Sequence, residues 1–204
     1  MDESHMQTRV GNHFRRMEEL VETSFLGTIV DIETIGEFGR VKGGVLPIGS
    51  DYLQRYREMK ITAVGMLFAG KMVIHVANGV HSLDTFQKTA VQLVSESAEP
   101  RYAFNKAFEE GCYFWNSGHE FLEFDYELQR YPRERKESVV KSLNIDNYGD
   151  PFNGKGAKCK DAFLSDDLSS IMKHNRACLL KENQILAMRG AERLATKWLD
   201  LDRV

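Results

Sequence analysis

Asp31 and Glu33 are the residues best suited to chemistry by type and spacing. Two positions apart on a strand, they point to the same face. Side-by-side carboxylates repel, and each resists ionisation unless a cation lies between them. Oxygen ligands of this kind suit Mg²⁺ or Mn²⁺, which keep some waters and also take oxygens from a substrate phosphate. Two such ions ~3.5–4 Å apart activate a water and stabilise the leaving oxygen in phosphoryl transfer. The pair follows Phe25-Leu26-Gly27-Thr28-Ile29-Val30, nearly all apolar or small, so it emerges abruptly from a buried segment.

Two further groups stand downstream. In Phe104-Asn105-Lys106-Ala107-Phe108-Glu109, Asn105 can hydrogen-bond a substrate or its own turn, and Glu109 follows one helical turn later. In His174-Asn175-Arg176-Ala177-Cys178, a histidine could orient or deprotonate a water. His174, Cys178 and Glu182 fall at i, i+4 and i+8, on one side of a helix. His174 and Cys178 also have the spacing of a zinc half-site that Cys112 or Cys159 could complete, although no Cys-x-x-Cys pair supports it. Lys155, Lys158 and Lys160 lie in a glycine-containing loop, preceded by Arg130, Arg133, Arg135 and Lys136; together they offer phosphates a local basic groove.

The elements that must position these groups follow from periodicity. Residues 15–22 read as a short helix, and 25–32 as a buried strand ending at the acids. Residues 62–68 and 72–76 are strands joined at Ala69-Gly70-Lys71, a hairpin signal. Residues 36–60 read as a surface excursion carrying a short helix. Ser82 caps a helix that Pro100 ends; a strand over 101–104 leads into a helix over 106–114. Residues 121–124 read as a fifth strand, 133–143 as a charged helix and 144–160 as a loop. Ser165-Asp166-Asp167 supplies N-cap chemistry for a long helix reaching about Gly190, with a last turn over 191–199. Three strands followed by βα units imply an α/β fold with a mixed sheet flanked by helices. We expect an N-terminal extension or helix over 1–24 and one domain over 25–204.

Composition agrees with a single globular domain: 42% hydrophobic and 28% charged residues in a chain of 204. A net charge of -3 argues against a purely nucleic-acid-binding module, but leaves room for an enzyme with a local basic groove. Three scattered cysteines point to reduced thiols and a cytoplasmic setting, and no apolar run is long enough to span a membrane.

Together and in this order, these motifs resemble those of the DEDD superfamily of RNase-H-like 3′–5′ exonucleases, in its divergent branch. Val30-Asp31-Ile32-Glu33-Thr34 matches the first motif; Asn105-Lys106-Ala107-Phe108-Glu109 matches an Asn-x-x-Phe-Asp second motif with Glu for Asp. His174 to Cys178 stands where a third motif pairs Tyr or His with an Asp. The resemblance implies an RNase-H-like sheet, three antiparallel strands then βα units, over residues 25–190. It implies two Mg²⁺ or Mn²⁺ ions and hydrolysis of DNA or RNA from a single-stranded 3′ end. By that resemblance Asp31, Glu33 and Glu109 would bind metal and His174 would be general base; from their own chemistry, Asn105, Lys155 and Lys158 are the residues expected to meet substrate. Glu109 is one methylene longer than the motif's Asp, and the neutral thiol of Cys178 is a poor ligand for a hard cation. Glu182, or Asp166 or Asp167, could take that place. If none does, the chain is a catalytically impaired RNase-H-like nucleic-acid-binding or scaffold protein.

Overall fold

The hairpin signal folds as its residues require. In the computed structural model, which describes residues 7–11, 13–39, 53–131 and 134–192, β4 (Lys60–Phe68) and β5 (Lys71–Ala77) pair antiparallel. Ala69 and Gly70 between them both have positive φ, 45° and 78°, the conformation that matches a two-residue turn to the strands' twist. β3 (Thr28–Ile35) lies antiparallel to β4 with Asp31 opposite Gly65. β6 (Arg101–Ala103) is parallel to β3, and β7 (Tyr126–Glu127) parallel to β6. With β1 (Gln7–Val10) and β2 (Phe14–Leu20), the sheet is seven-stranded and mixed, in the order β1-β2-β5-β4-β3-β6-β7.

Several sequence expectations need correcting. Residues 15–22 are not a helix: Phe14–Leu20 is the strand β2, paired with β5 along its whole length. Arg, Met, Glu and Leu favour helix by only a few tenths of a kcal/mol each, less than the free edge of β5 offers. Gln7–Val10 and Phe14–Leu20 therefore belong to the sheet rather than to an extension outside it. The first expected strand begins later, after Gly27 at φ 92°, so Asp31 and Glu33 lie within β3 and not at its end. They are open to ligands because β6 pairs with β3 only at Thr28 and Ile29. The strand expected over 121–124 is Tyr126–Glu127 instead; Phe124 is a core residue whose N–H donates to Glu110 Oε1 at 3.1 Å. Part of the expected 144–160 loop is helical. The short helix expected in the 36–60 excursion falls partly on 40–52, and the last turn mostly on 193–199, outside the described residues.

The helices are α1 (Leu83–Ser95), α2 (Lys106–Asn116), α3 (Lys136–Ser142), α4 (Lys158–Leu164) and α5 (Leu168–Arg189). α5 starts where the acids predicted, with Asp167 accepting from Ser170 N at 3.2 Å, and stops at Gly190 with φ 73°. It packs on β3, β4 and β5, and buries polar residues as well as Ile171 and Leu179. Gly65 permits that approach. A Cβ there would stand 1.9 Å from Asn175 Oδ1 and 2.7 Å from Leu179 Cδ1, so any side chain at this position would push the helix off the acids. Among the described residues no helix is long and apolar enough to cross a membrane.

Candidate metal and phosphodiester site

Asp31 and Glu33 lie two apart on β3, and both are buried. Asp31 Oδ2 accepts from Asn175 Nδ2 at 2.8 Å, and Asn175 also donates to the Asp31 carbonyl at 3.1 Å. Asp31 Oδ1 accepts from Lys136 Nζ at 2.7 Å, and the same ammonium donates to Glu182 Oε1. Lys136 thus bridges an acid of β3 and an acid of α5. Burial works against its charge, but Asp31, Cys178 and Glu182 outweigh burial and hold the ammonium well above its ordinary range. Burial pushes Glu182 up to about 8, against the pull of Lys136 and with the help of Asp31. Glu109 is raised well above the carboxylate range by burial and then by Asp31 and Glu182.

The other side of the cavity is built on His174. Its Nδ1 is 2.7 Å from Asp150 Oδ1, while Nε2 lies 3.6 Å from Glu33 Oε1 and 3.6 Å from Cys178 Sγ. Burial opposes an imidazolium here, but the Asp150 bond and the Cys178 contact prevail and carry His174 up to about 11. Asp150 is fixed in turn by Lys181 Nζ at 2.8 Å and by the Phe152 and Gly154 N–H groups at 2.9 and 2.7 Å. Burial would raise Asp150, yet its bonds to His174 and Lys181 hold it well below the usual range. Glu33 is pushed up to about 7 by burial and the Asp31 charge, with His174 and the Cys159 thiol pulling the other way. Burial raises the thiols of Cys159 and Cys178.

These side chains surround a cavity of about 350 Å³, whose wall includes Asp31, Glu33, Asn105, Glu109, Lys136, His174 and Cys178. A second cavity of about 520 Å³ adjoins it, sharing Glu33, Phe108 and Gly156 and reaching Phe38 and Lys160. Glu182 is fully buried behind Lys136, whereas Asp166 and Asp167 are exposed at the start of α5. Of the acids that could stand in for a missing aspartate, it is Glu182 that converges on the site. Lys155 and Lys158 are exposed and not on the wall, whose lysines are Lys136, Lys141 and Lys181. No family model, curated protein or solved structure matches this chain.

Two sets of donor atoms could hold a cation, each within 4.8 Å: Asp31, Glu33 and Cys178, and Glu33, Cys159 and His174. Cys159, rather than Cys112, is the thiol near His174; Cys112 sits by Glu109. The buried Oε2 atoms of Glu109 and Glu182 have no hydrogen-bond partner, the kind of deficit that a cation or its water satisfies. Asp31, Glu33 and Cys178 offer two oxygens and a thiol and, with Glu109 on the same wall, fit Mg²⁺ or Mn²⁺; Glu33, Cys159 and His174 offer one oxygen, one nitrogen and one thiol, a softer set closer to what zinc takes. Sequence reasoning missed Asp150 and the bridging role of Lys136. The signal for Asp150 was its place as the sole acid between Asn147 and Lys160 in a glycine-rich segment.

Proposed function

We propose that this chain is a metal-dependent phosphodiesterase, acting as a 3′–5′ exonuclease on DNA or RNA. One observation carries the reading: Asp31, Glu33 and Glu109, from β3 and α2, line one cavity, Glu182 of α5 stands behind Lys136 of its wall, and Glu109 and Glu182 each have a buried, unpartnered oxygen. The sequence β5-β4-β3-β6-β7, three antiparallel strands and then two parallel ones, supports the RNase-H-like description of the sheet.

Bound Mg²⁺ or Mn²⁺ would supply water activation and stabilisation of the leaving oxygen. The chain's own residues do the rest. Asp31, Glu33 and Glu109 offer oxygens, and Asn175 fixes the Asp31 rotamer. Asp150 orients His174 so that Nε2 faces Glu33. As an imidazolium, His174 donates a hydrogen bond; to act as general base it must first release that proton, which added positive charge nearby favours. Asn105, at the start of α2 on the cavity wall, is placed to meet substrate.

A second reading, binding without catalysis, is favoured by one fact: Lys136 already sets a positive charge against Asp31 Oδ1 and Glu182 Oε1, the work that a metal ion would do. End-labelled single-stranded DNA and RNA, incubated with the protein and Mn²⁺ or Mg²⁺, separate the two. The first reading expects stepwise shortening from the 3′ end that chelation stops and Asp31→Asn abolishes. Strand binding by the wild type with no shortening overturns it in favour of the second.

A further inference from the structure

Lys136 is a cation of the protein's own, seated where two carboxylates meet. Its Nζ is 2.7 Å from Asp31 Oδ1 and also contacts Glu182 Oε1, while its ring neighbour Phe104 lies 5.5 Å beneath it. Bridging carboxylates from opposite elements is the structural work of one ion in a two-metal centre. We propose that Lys136 permanently fills one of two cation positions around Asp31, so that the site takes a single divalent ion, on the Glu33 side. This rests on the metal-dependent reading above.

The placement of Lys136 is fixed by its surroundings. Glu134, two residues earlier, accepts from Arg189 of α5 at 2.9 and 3.0 Å and from Arg130 N at 2.8 Å. The segment that delivers the ammonium is therefore tied to the helix that carries Glu182. Were Lys136 to leave, Asp31 would remain a buried carboxylate beside Glu182 without its ammonium partner, which is strongly unfavourable. Charge bookkeeping agrees. An ammonium brings one positive charge where a divalent ion would bring two, and the adjacent side chain, Cys178, is a thiol rather than a carboxylate. On the other side of Asp31, among the described residues, no ammonium sits between the acids; the basic group against Glu33 is the His174 ring, its Nε2 3.6 Å from Glu33 Oε1, which can release a proton to an incoming ion. There the donor atoms of Asp31, Glu33 and Cys178 lie within 4.8 Å of one another, and the orphaned Glu109, only 5% exposed, lines the same cavity.

Mn²⁺ titration of the full chain, read by equilibrium dialysis and by electron paramagnetic resonance, tests this without reference to activity. Wild type is expected to bind one Mn²⁺ with the spectrum of an isolated ion. Lys136→Met is expected to bind two, with line broadening from a neighbour roughly 3.5–4 Å away, whereas Lys136→Arg keeps one. Two ions in wild type overturn the inference, and that count decides even where Lys136→Met fails to fold. A folded Lys136→Met that still binds one ion overturns it as well. No bound Mn²⁺ in any form overturns both this inference and the metal-dependent reading, while two wild-type ions overturn this inference alone.

Discussion

On one side of the cavity Lys136 lies between Asp31 and Glu182; on the other, His174 lies between Glu33 and Asp150. The lysine arrives on a long stem from α3 and keeps 23% of its side chain exposed. The histidine is 2% exposed, and its partner Asp150 is pinned by Lys181 and two backbone N–H groups. Both sides answer the same problem, buried carboxylates needing positive charge. One does so with a point charge on a long stem, the other with a ring held by Asp150. The Lys136 side is thus built around charge, and the His174 side around orientation.

Cys178 lies at the seam, acting on both Lys136 and His174. Cys178→Asp is the strongest challenge to the division, because it adds a carboxylate that neither cation has to spare. We expect metal-free protein to lose about 3 kcal/mol, the scale of an uncompensated buried charge, and Mn²⁺ to restore it with tighter binding. Thermal melts with and without Mn²⁺ measure both. A loss that Mn²⁺ leaves uncorrected would mean that Cys178 does not face the ion.

Glu33→Gln probes the acid that the two sides share. Glu33 is held at about 7, above its open-chain 4.5, so the folded chain keeps a proton that the unfolded chain releases. Its contribution to stability is complete below pH 4.5 and is lost as pH rises through 7. Relative to wild type, Glu33→Gln therefore gains up to about 3 kcal/mol between those values. Denaturant titrations of metal-free protein across that range follow the difference, and parallel profiles would exclude a buried, proton-holding Glu33.

Asp150→Asn should disturb orientation and leave the Lys136 side alone. The amide can still accept from Lys181 but no longer stabilises an imidazolium. His174 should titrate well below about 11, as followed by its ring proton resonances, and Mn²⁺ affinity should rise, because a ring that is already neutral has no proton to release when the ion binds. An unmoved His174 titration would show that Asp150 does not govern the ring. The smallest effect belongs to the exposed pair outside the wall. Lys155→Ala with Lys158→Ala should flatten the slope of log strand affinity against log salt by about 1.4 and leave turnover unchanged. An unaltered slope would make them plain surface.

The acids of β3 were legible because a period of two on a strand fixes a common face whatever lies around it, and that holds even with the strand displaced by three residues. His174, Cys178 and Glu182 were legible for the matching reason on a helix. Asp150 was not: its relation to His174 depends on turns through Asn147, Gly149 and Gly154 that no periodicity encodes. Lys136 was visible only as one of several basic residues, since its partners lie far away in sequence. Residues 14–20 misled because their types favour a helix, while the free edge of β5, a property of the assembled sheet, made them a strand.

The distance between Asp31 and Lys136 has a consequence for how the protein is made. They are 105 residues apart, and Asn175 is 144 beyond Asp31. At about 5–20 residues per second, roughly five to twenty seconds pass between synthesis of the acid and synthesis of its ammonium. During that interval the central hairpin can form, but the cluster has no counter-charge and no covering helix. The nascent chain therefore carries its reactive residues dispersed, and they become a site only when α5 settles over Gly65.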